Sequence, residues 1–198
     1  MNNKNLRIKN LVNIGVFSAI FMLISFILMM PAAISPVLWM LYPAIVGIFD
    51  GTIYMILASK VQKRGMSLAI GLITGILYAA IGECTWTIVL TFLISGTISE
   101  ILRHLFGYNT IKGNILSFAA LTTGFVGSPL PMWLFHDSYV KSILKLGMDP
   151  IYVNKMSNMV SIWSLISMIV AAFIGGLIGA NIGKSLLKKH FKKAGIVQ

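Results

Sequence analysis

The sequence predicts an all-α integral membrane protein, a six-transmembrane-helix bundle with its N- and C-termini cytoplasmic, and three observations lead there. Of 198 residues, 57% are hydrophobic and 11% charged, with a mean hydropathy of +0.87. Water-soluble domains carry about 25% charged residues. The apolar residues gather into six stretches, approximately 10–31, 36–58, 66–82, 85–102, 114–135 and 159–183. A hydrocarbon core about 30 Å thick takes roughly 20 residues of helix, and each stretch meets or approaches that length. Helices satisfy their own backbone polar groups in lipid, and no period-2 barrel pattern is present. Charge supplies the third observation. Threaded alternately, the chain puts Lys4, Arg7, Lys9, Lys60, Lys63, Arg64, Arg103, Lys112, Lys184, Lys188, Lys189, Lys192 and Lys193 on one side, 13 of its 16 Lys and Arg. Only Lys141, Lys145 and Lys155 fall on the other. Positive loops are retained in the cytoplasm, so the crowded side is inside. Residues 1–198 read as a single membrane domain whose longest connection, 136–158, is an outer loop.

The first stretch follows Lys4, Arg7 and Lys9 and exceeds the length of a secretory h-region, so it reads as an uncleaved span. Gly15 and Ala19 sit on it at four-residue spacing near the inner end, where a partner in the membrane can reach them. The second stretch carries Asp50, ten residues from Lys60 and hence about 15 Å from the inner end. A carboxylate at that depth costs about 2.5–3.5 kcal/mol on insertion scales, so it should face the bundle interior. Two readings are open for it: an ion- or substrate-coupling residue, or an internal hydrogen bond to a hydroxyl such as Thr74. Gly47 and Gly51 flank it and suit a close helix contact.

The third stretch is the shortest and carries Gly71, Gly75 and Ala79. After it come Glu83, Cys84, Thr85, Trp86 and Thr87, an outer turn that reads either as a carboxylate and indole facing a ligand or as a helix cap with an interfacial anchor. The fourth ends in Glu100, Arg103 and His104, expected to form a local interfacial ion pair. The fifth closes with Ser128, Pro129, Pro131, Trp133, His136 and Asp137. Two prolines there free carbonyls, which is tolerated where backbone lines a cavity. In the outer loop, Tyr139, Ile143, Leu144 and Leu146 have partial helical spacing, consistent with a short lid-like or interfacial helix. Asn154, Asn158, Ser161 and Trp163 precede or open the sixth stretch, which bears Gly175, Gly179 and Gly183 beside Ala172, Gly176 and Ala180. The basic run from Lys184 to Lys193 is expected to continue this helix along the inner interface.

A formal charge of +11 is accounted for by positive-inside retention and attraction to anionic membrane lipids, so no nucleic acid is expected. Cys84 is the only cysteine, which removes disulfides and cysteine-based zinc sites. No phosphate loop, His-Glu-x-x-His or paired acidic motif is present. Gly127-Ser128 with His136 is a poor serine-protease pattern, because Pro129 follows the serine. No catalytic residue, metal or cofactor is therefore expected. What converges instead is a ring at the outer level: Trp39, Glu83, Trp86, Trp133, His136, Asp137, Asn158 and Trp163 are the candidate substrate-binding residues, with Pro31, Pro36, Tyr42 and Pro43 near them.

Three segments carry a family resemblance. They are Lys9-Asn10-Leu11-Val12-Asn13-Ile14-Gly15-Val16-Phe17-Ser18-Ala19-Ile20; Gly127-Ser128-Pro129-Leu130-Pro131-Met132-Trp133 leading into Asp137 and Tyr139; and Gly175-Gly176-Leu177-Ile178-Gly179-Ala180 running through Gly183-Lys184 to Ala194-Gly195. In order, spacing and total length the chain resembles the substrate-binding S components of energy-coupling factor (ECF) transporters, in the MptD (Trep-Strep) branch. The resemblance implies a six-helix bundle that captures a vitamin-like or other small organic nutrient in an outward-facing pocket of a bacterial cell membrane. It implies as partners a transmembrane T component and two ABC ATPases, and docking of the T component on Gly15 and Ala19, with Gly15 where the family more often has alanine. Two other functions stay open at this point: a self-sufficient ion-coupled carrier or channel using Asp50, and a membrane enzyme using Ser128 or His136.

Overall fold

Helices make up every regular element of the computed structural model, which describes residues 3–82 and 86–193, with side chains from Ile8 to Gly82 and from Trp86 to Lys188. They are α1 (Asn3–Met29), α2 (Pro36–Lys60), α3 (Met66–Ile81), α4 (Thr87–Phe106), α5 (Ile111–Thr122), α6 (Pro131–Leu134), α7 (His136–Lys145), α8 (Pro150–Asn158) and α9 (Ile162–Lys193). Single 3-10 turns follow α1 (Met30–Ala33) and α5 (Thr123–Gly127). Four described stretches are long and apolar enough to cross a membrane: Ile8–Ala33, Pro36–Lys60, Thr87–Phe106 and Ile162–Lys188. α3 is a shorter apolar helix. α9 runs on to Lys193, so the basic run does continue the last helix as its composition suggests.

Neighbouring helices pack in the order α1, α2, α9, α5, α4, α3, and α3 returns to α1 to close the ring. Aromatic side chains fill the middle. Phe125, from the 3-10 turn after α5, is the hub: it stacks on Phe21 at 5.7 Å and meets Phe92 edge-on at 4.9 Å, Tyr42 at 5.8 Å and Tyr78 at 6.3 Å. Aromatic pairs at these separations add to simple area burial. Towards one end, a buried hydroxyl chain joins four helices. Tyr54 Oη lies 2.6 Å from both Ser67 Oγ and Ser117 Oγ, and Ser99 Oγ lies 2.6 Å from Ser117 Oγ.

The fifth stretch is not one continuous span over 114–135. Its α-helix stops at Thr122, tightens into the 3-10 turn and restarts at Pro131. The break lies against α4, where Gly124 and Gly127 leave no room for a side chain. Thr91 Oγ1 donates to the Gly124 carbonyl and Thr87 Oγ1 to the Gly127 carbonyl, both at 2.8 Å. Those bonds replace ladder bonds that the tighter winding and the two prolines, lacking N–H groups, cannot supply.

The expected ion pair between Glu100 and Arg103 is not formed. The Glu100 carboxylate instead accepts from the backbone N–H of Gly65 at 2.7 Å and of Ser67 at 3.1 Å, capping α3. Orphan donors at a helix N-terminus favour an acceptor with negative charge. Arg103 is fully buried. It donates from Nε to Asn114 Oδ1 at 2.9 Å and from Nη2 to the carbonyls of Val61 and Tyr108 at 3.1 and 3.3 Å. One guanidinium thereby ties the α2–α3 and α4–α5 turns together. Lys9, Lys60, Lys63, Arg64 and Lys112 gather at this same end. Lys141, Lys145 and Lys155 lie on α7 and α8 at the other.

α2 and α9 form the most extensive contact, and it is backbone against backbone. A Cβ on Gly47 would stand 2.7 Å from the Gly176 nitrogen; one on Gly51 would overlap the backbone of Gly179 and Ala180. Gly175 and Gly179 face Ala44 and Gly47 as tightly, and Gly183 faces Thr52. Small residues let membrane helices approach closely enough for dispersion and Cα–H···O contacts to accumulate. The glycine stripe of the last helix thus finds its partner in the two glycines that flank Asp50. We predict that Gly51→Ala destabilises the bundle by about 1–3 kcal/mol through overpacking, read as a lower midpoint of thermal unfolding in detergent. Gly15→Ala, where a Cβ meets nothing within 4 Å, should leave that midpoint unchanged or raise it, since alanine is the better helix former.

Candidate functional site

At the end opposite the basic cluster, α7 and α8 border a half-open cavity of about 530 Å³. Its floor and walls come from Phe26 and Met29 on α1, Ala32 in the following turn, Trp39 on α2, and Ile81 and Gly82 at the end of α3. Tyr139, Ile143, Tyr152 and Met156 close it from the loop helices, and Ser128 reaches it from the broken fifth segment. No described charged side chain lines it. Such a volume suits a small organic ligand. The thioethers of Met29, Met30, Met148 and Met156 can adjust to the shape of an apolar guest.

Local sequence explains how the cover is built. Asp149 Oδ1 accepts from the Ile151 N–H at 3.0 Å and Pro150 occupies the first turn, which starts α8 cleanly. Tyr139 and Ile143 on α7, and Leu146 just after it, recur at four- and three-residue spacing and line the cavity. The short helix expected over Tyr139 to Leu146 is met by α7; α8, over Pro150–Asn158, is a second helix that the spacing did not indicate. Tyr152 Oη donates to the Ala32 carbonyl, tying α8 to the turn after α1. Burial pushes the Tyr152 hydroxyl above its ordinary value of 10.0.

The sequence-predicted ring is brought together only in part. Trp39 lines the cavity. Trp133 stacks on Trp39 with ring centroids 5.8 Å apart and planes 8° from parallel, and its Nε1 donates to the Ser161 carbonyl at 2.8 Å. It holds Trp39 in place and joins α6 to the start of α9. Trp86 is 59% exposed and packs on Phe135 at 6.1 Å. His136 and Asp137 pair with each other at 3.3 Å in solvent. Asn158 is exposed and Trp163 is 76% exposed. None of these five lines the cavity. Glu83 and Cys84 lie outside the described residues. Gly15 and Ala19 both lie on an exposed face of α1, among Leu11, Val12, Val16, Ile20 and Leu23.

Asp50 is fully buried on the core face of α2, one turn before Tyr54. Both of its carboxylate oxygens lack a hydrogen-bond partner among the described residues. Thr74, the hydroxyl suggested for it, donates instead to the Ile70 carbonyl of its own helix at 2.7 Å. An unpartnered buried polar group is costly. Among the described residues, the Ser18 hydroxyl is the other buried polar group without a partner.

Among comparisons with known proteins, the model of one family, Trep_Strep, described as a hypothetical bacterial integral membrane protein, matches residues 8–193. No curated protein and no solved structure matches the chain. Together with its apolar helices, the match makes this a multi-pass membrane protein.

Tyr152→Phe should loosen the cover over the cavity. A net loss of about 1 kcal/mol for one hydrogen bond corresponds to roughly fivefold faster amide exchange in residues 150–158, read by hydrogen–deuterium exchange. The folded state favours the protonated hydroxyl, so the tie is fully present below pH 10.0 and is lost only as pH rises past the elevated pKa.

Proposed function

The chain belongs to the Trep_Strep family of bacterial integral membrane proteins, and on that premise we propose that it is the substrate-binding S component of an ECF importer. In this reading it crosses a bacterial cytoplasmic membrane six times, with both termini inside. The cavity under α7 and α8 captures a small nutrient from outside. ATP hydrolysis belongs to two partner ATPases and coupling to a T component.

The observation that carries the proposal is the half-open cavity of about 530 Å³, bordered by α7 and α8, at the end of the bundle remote from the basic residues. Positive-inside retention turns that end outwards. A binding pocket beside two short loop helices, at one end of a bundle of apolar helices, is what a capture subunit needs. The lining argues for the substrate class: an uncharged, largely apolar molecule with a ring that can lie against Trp39. A charged ligand would find no described counter-charge there and would lose its hydration. The exposed face of α1 supports the partner. Gly15 has open space around it, so a second membrane helix can approach its backbone closely.

A second reading, a self-sufficient ion-coupled carrier, is favoured by one observation, the unpartnered Asp50 carboxyl. It requires proton- or sodium-driven uptake by liposomes containing this chain alone, and loss of that uptake in Asp50→Asn.

Two measurements test the main proposal. The protein is expected to retain a small molecule on purification, read by mass spectrometry, and Ile143→Asp, which puts a charge in the cavity wall, should abolish that retention. Glu83→Gln should leave retention within about twofold, since a neutral guest needs no counter-ion. The reverse pattern would replace the neutral ligand by an amine. Gly15→Leu with Ala19→Leu should abolish co-purification of the T component and ATPases while ligand retention persists. Intact co-purification would refute the docking face.

A further inference from the structure

A second pocket lies at the basic end, between the start of α1 and the last residue of α2. It has a volume of about 310 Å³ and is lined by Lys9, Asn10, Asn13 and Lys60. All four side chains present N–H donors, two as ammonium groups and two as carboxamides. Lys9 and Asn10 stand four and three residues before Asn13, so the three share one surface of α1. Lys60 meets them from α2, its Nζ 5.0 Å from the centre of the Phe17 ring. That contact, one turn beyond Asn13, fixes the ammonium beside the pocket.

Nothing described in the chain neutralises this corner. Glu100 is occupied capping α3, and Asp137 pairs with His136. Asp149 caps α8 at the far end, and Asp50 is enclosed in the core. Among the described residues neither lysine has a salt bridge, and neither asparagine side chain has a hydrogen-bond partner. A concavity offering two positive charges and two carboxamides, with no acid beside it, is complementary to an anion carrying several acceptor oxygens.

We propose that Lys9, Asn10, Asn13 and Lys60 form a binding site for a phosphate group, supplied either by an anionic phospholipid headgroup or by free phosphate. The ammonium groups provide attraction, and the carboxamides direct N–H groups at the remaining oxygens. The occupant bridges α1 to α2 two residues below Gly15. It is independent of the cavity under α7 and α8.

The test uses the full-length protein in neutral detergent, titrated with phosphatidylglycerol or phosphatidylcholine and read by native mass spectrometry. Phosphatidylglycerol should be retained in preference to phosphatidylcholine. Lys9→Gln with Lys60→Gln should weaken that retention about tenfold or more, since each basic group near an anionic headgroup contributes substantially. Lys184→Gln with Lys188→Gln removes the same charge elsewhere and should change it less than about twofold. Asn13→Leu should weaken it without altering charge. Inorganic phosphate, compared with chloride at equal ionic strength, separates the sources: displacement of the lipid identifies free phosphate as a competent ligand, and persistence identifies the headgroup. Equal losses in the two double variants, no preference for phosphatidylglycerol, or unchanged retention in Asn13→Leu would each overturn the site.

Discussion

A peptide group that leaves its helix inside an apolar medium has no water to turn to, and the rest of this structure depends on how that demand is met. Arg103 answers it for the carbonyls of Val61 and Tyr108, and Glu100 for the N–H groups of Gly65 and Ser67. Thr87 and Thr91 answer it for Gly127 and Gly124. All but the local bond from Arg103 to Tyr108 reach from one segment of the bundle to another. Satisfying the backbone therefore also sets which helices are neighbours. The hydroxyl chain of Tyr54, Ser67, Ser99 and Ser117 does the same within the core.

The broken fifth segment shows how this demand becomes architecture. Its 3-10 turn carries Phe125 into the centre of the aromatic core. A regular helix over the same residues would present them on a different angular sequence, because 3-10 and α windings differ in residues per turn. The turn also delivers Ser128 and, beyond Pro131, Trp133 to the outer end, where Trp133 stacks on Trp39. The cavity wall and the core hub are two products of one irregularity.

Much of the frame could be read from the residues in order, because apolar length, turn residues and charge are local properties. The glycine stripe of α9 was legible as a packing face, but its partner was not. Nothing local says that Gly47 and Gly51, rather than the glycines of α3, will meet it. Glu100 follows the same rule: Arg103 is its close neighbour in sequence, yet the donors it serves are Gly65 before α3 and Ser67 in the first turn of α3. In the candidate site, Trp39 was accessible to reasoning about aromatics and Tyr139, Ile143 and Leu146 through their spacing. Met29, Met30, Tyr152 and Met156 were not, since nothing local says which side of a helix will line a cavity. Trp86, Trp163, His136 and Asp137 share the outer level but point away from the cavity. Level along the chain is legible; direction around a helix axis follows only from packing.

The α2–α9 seam has a consequence for assembly during synthesis. Its two faces are separated by more than a hundred residues of chain, so Gly51 waits for its partner until the final helix has been made. Until then one flank of α2, with Asp50 beside it, has no glycine-lined neighbour to close against, and the ring of helices is open there. Contacts of such long sequence separation form late, since the entropy of closing the intervening chain is lost first. Insertion of the last helix is accordingly the event that commits the bundle to its final form. A chain interrupted before residue 175 would keep the helices from α1 to α5 and lack the closure that makes them one body.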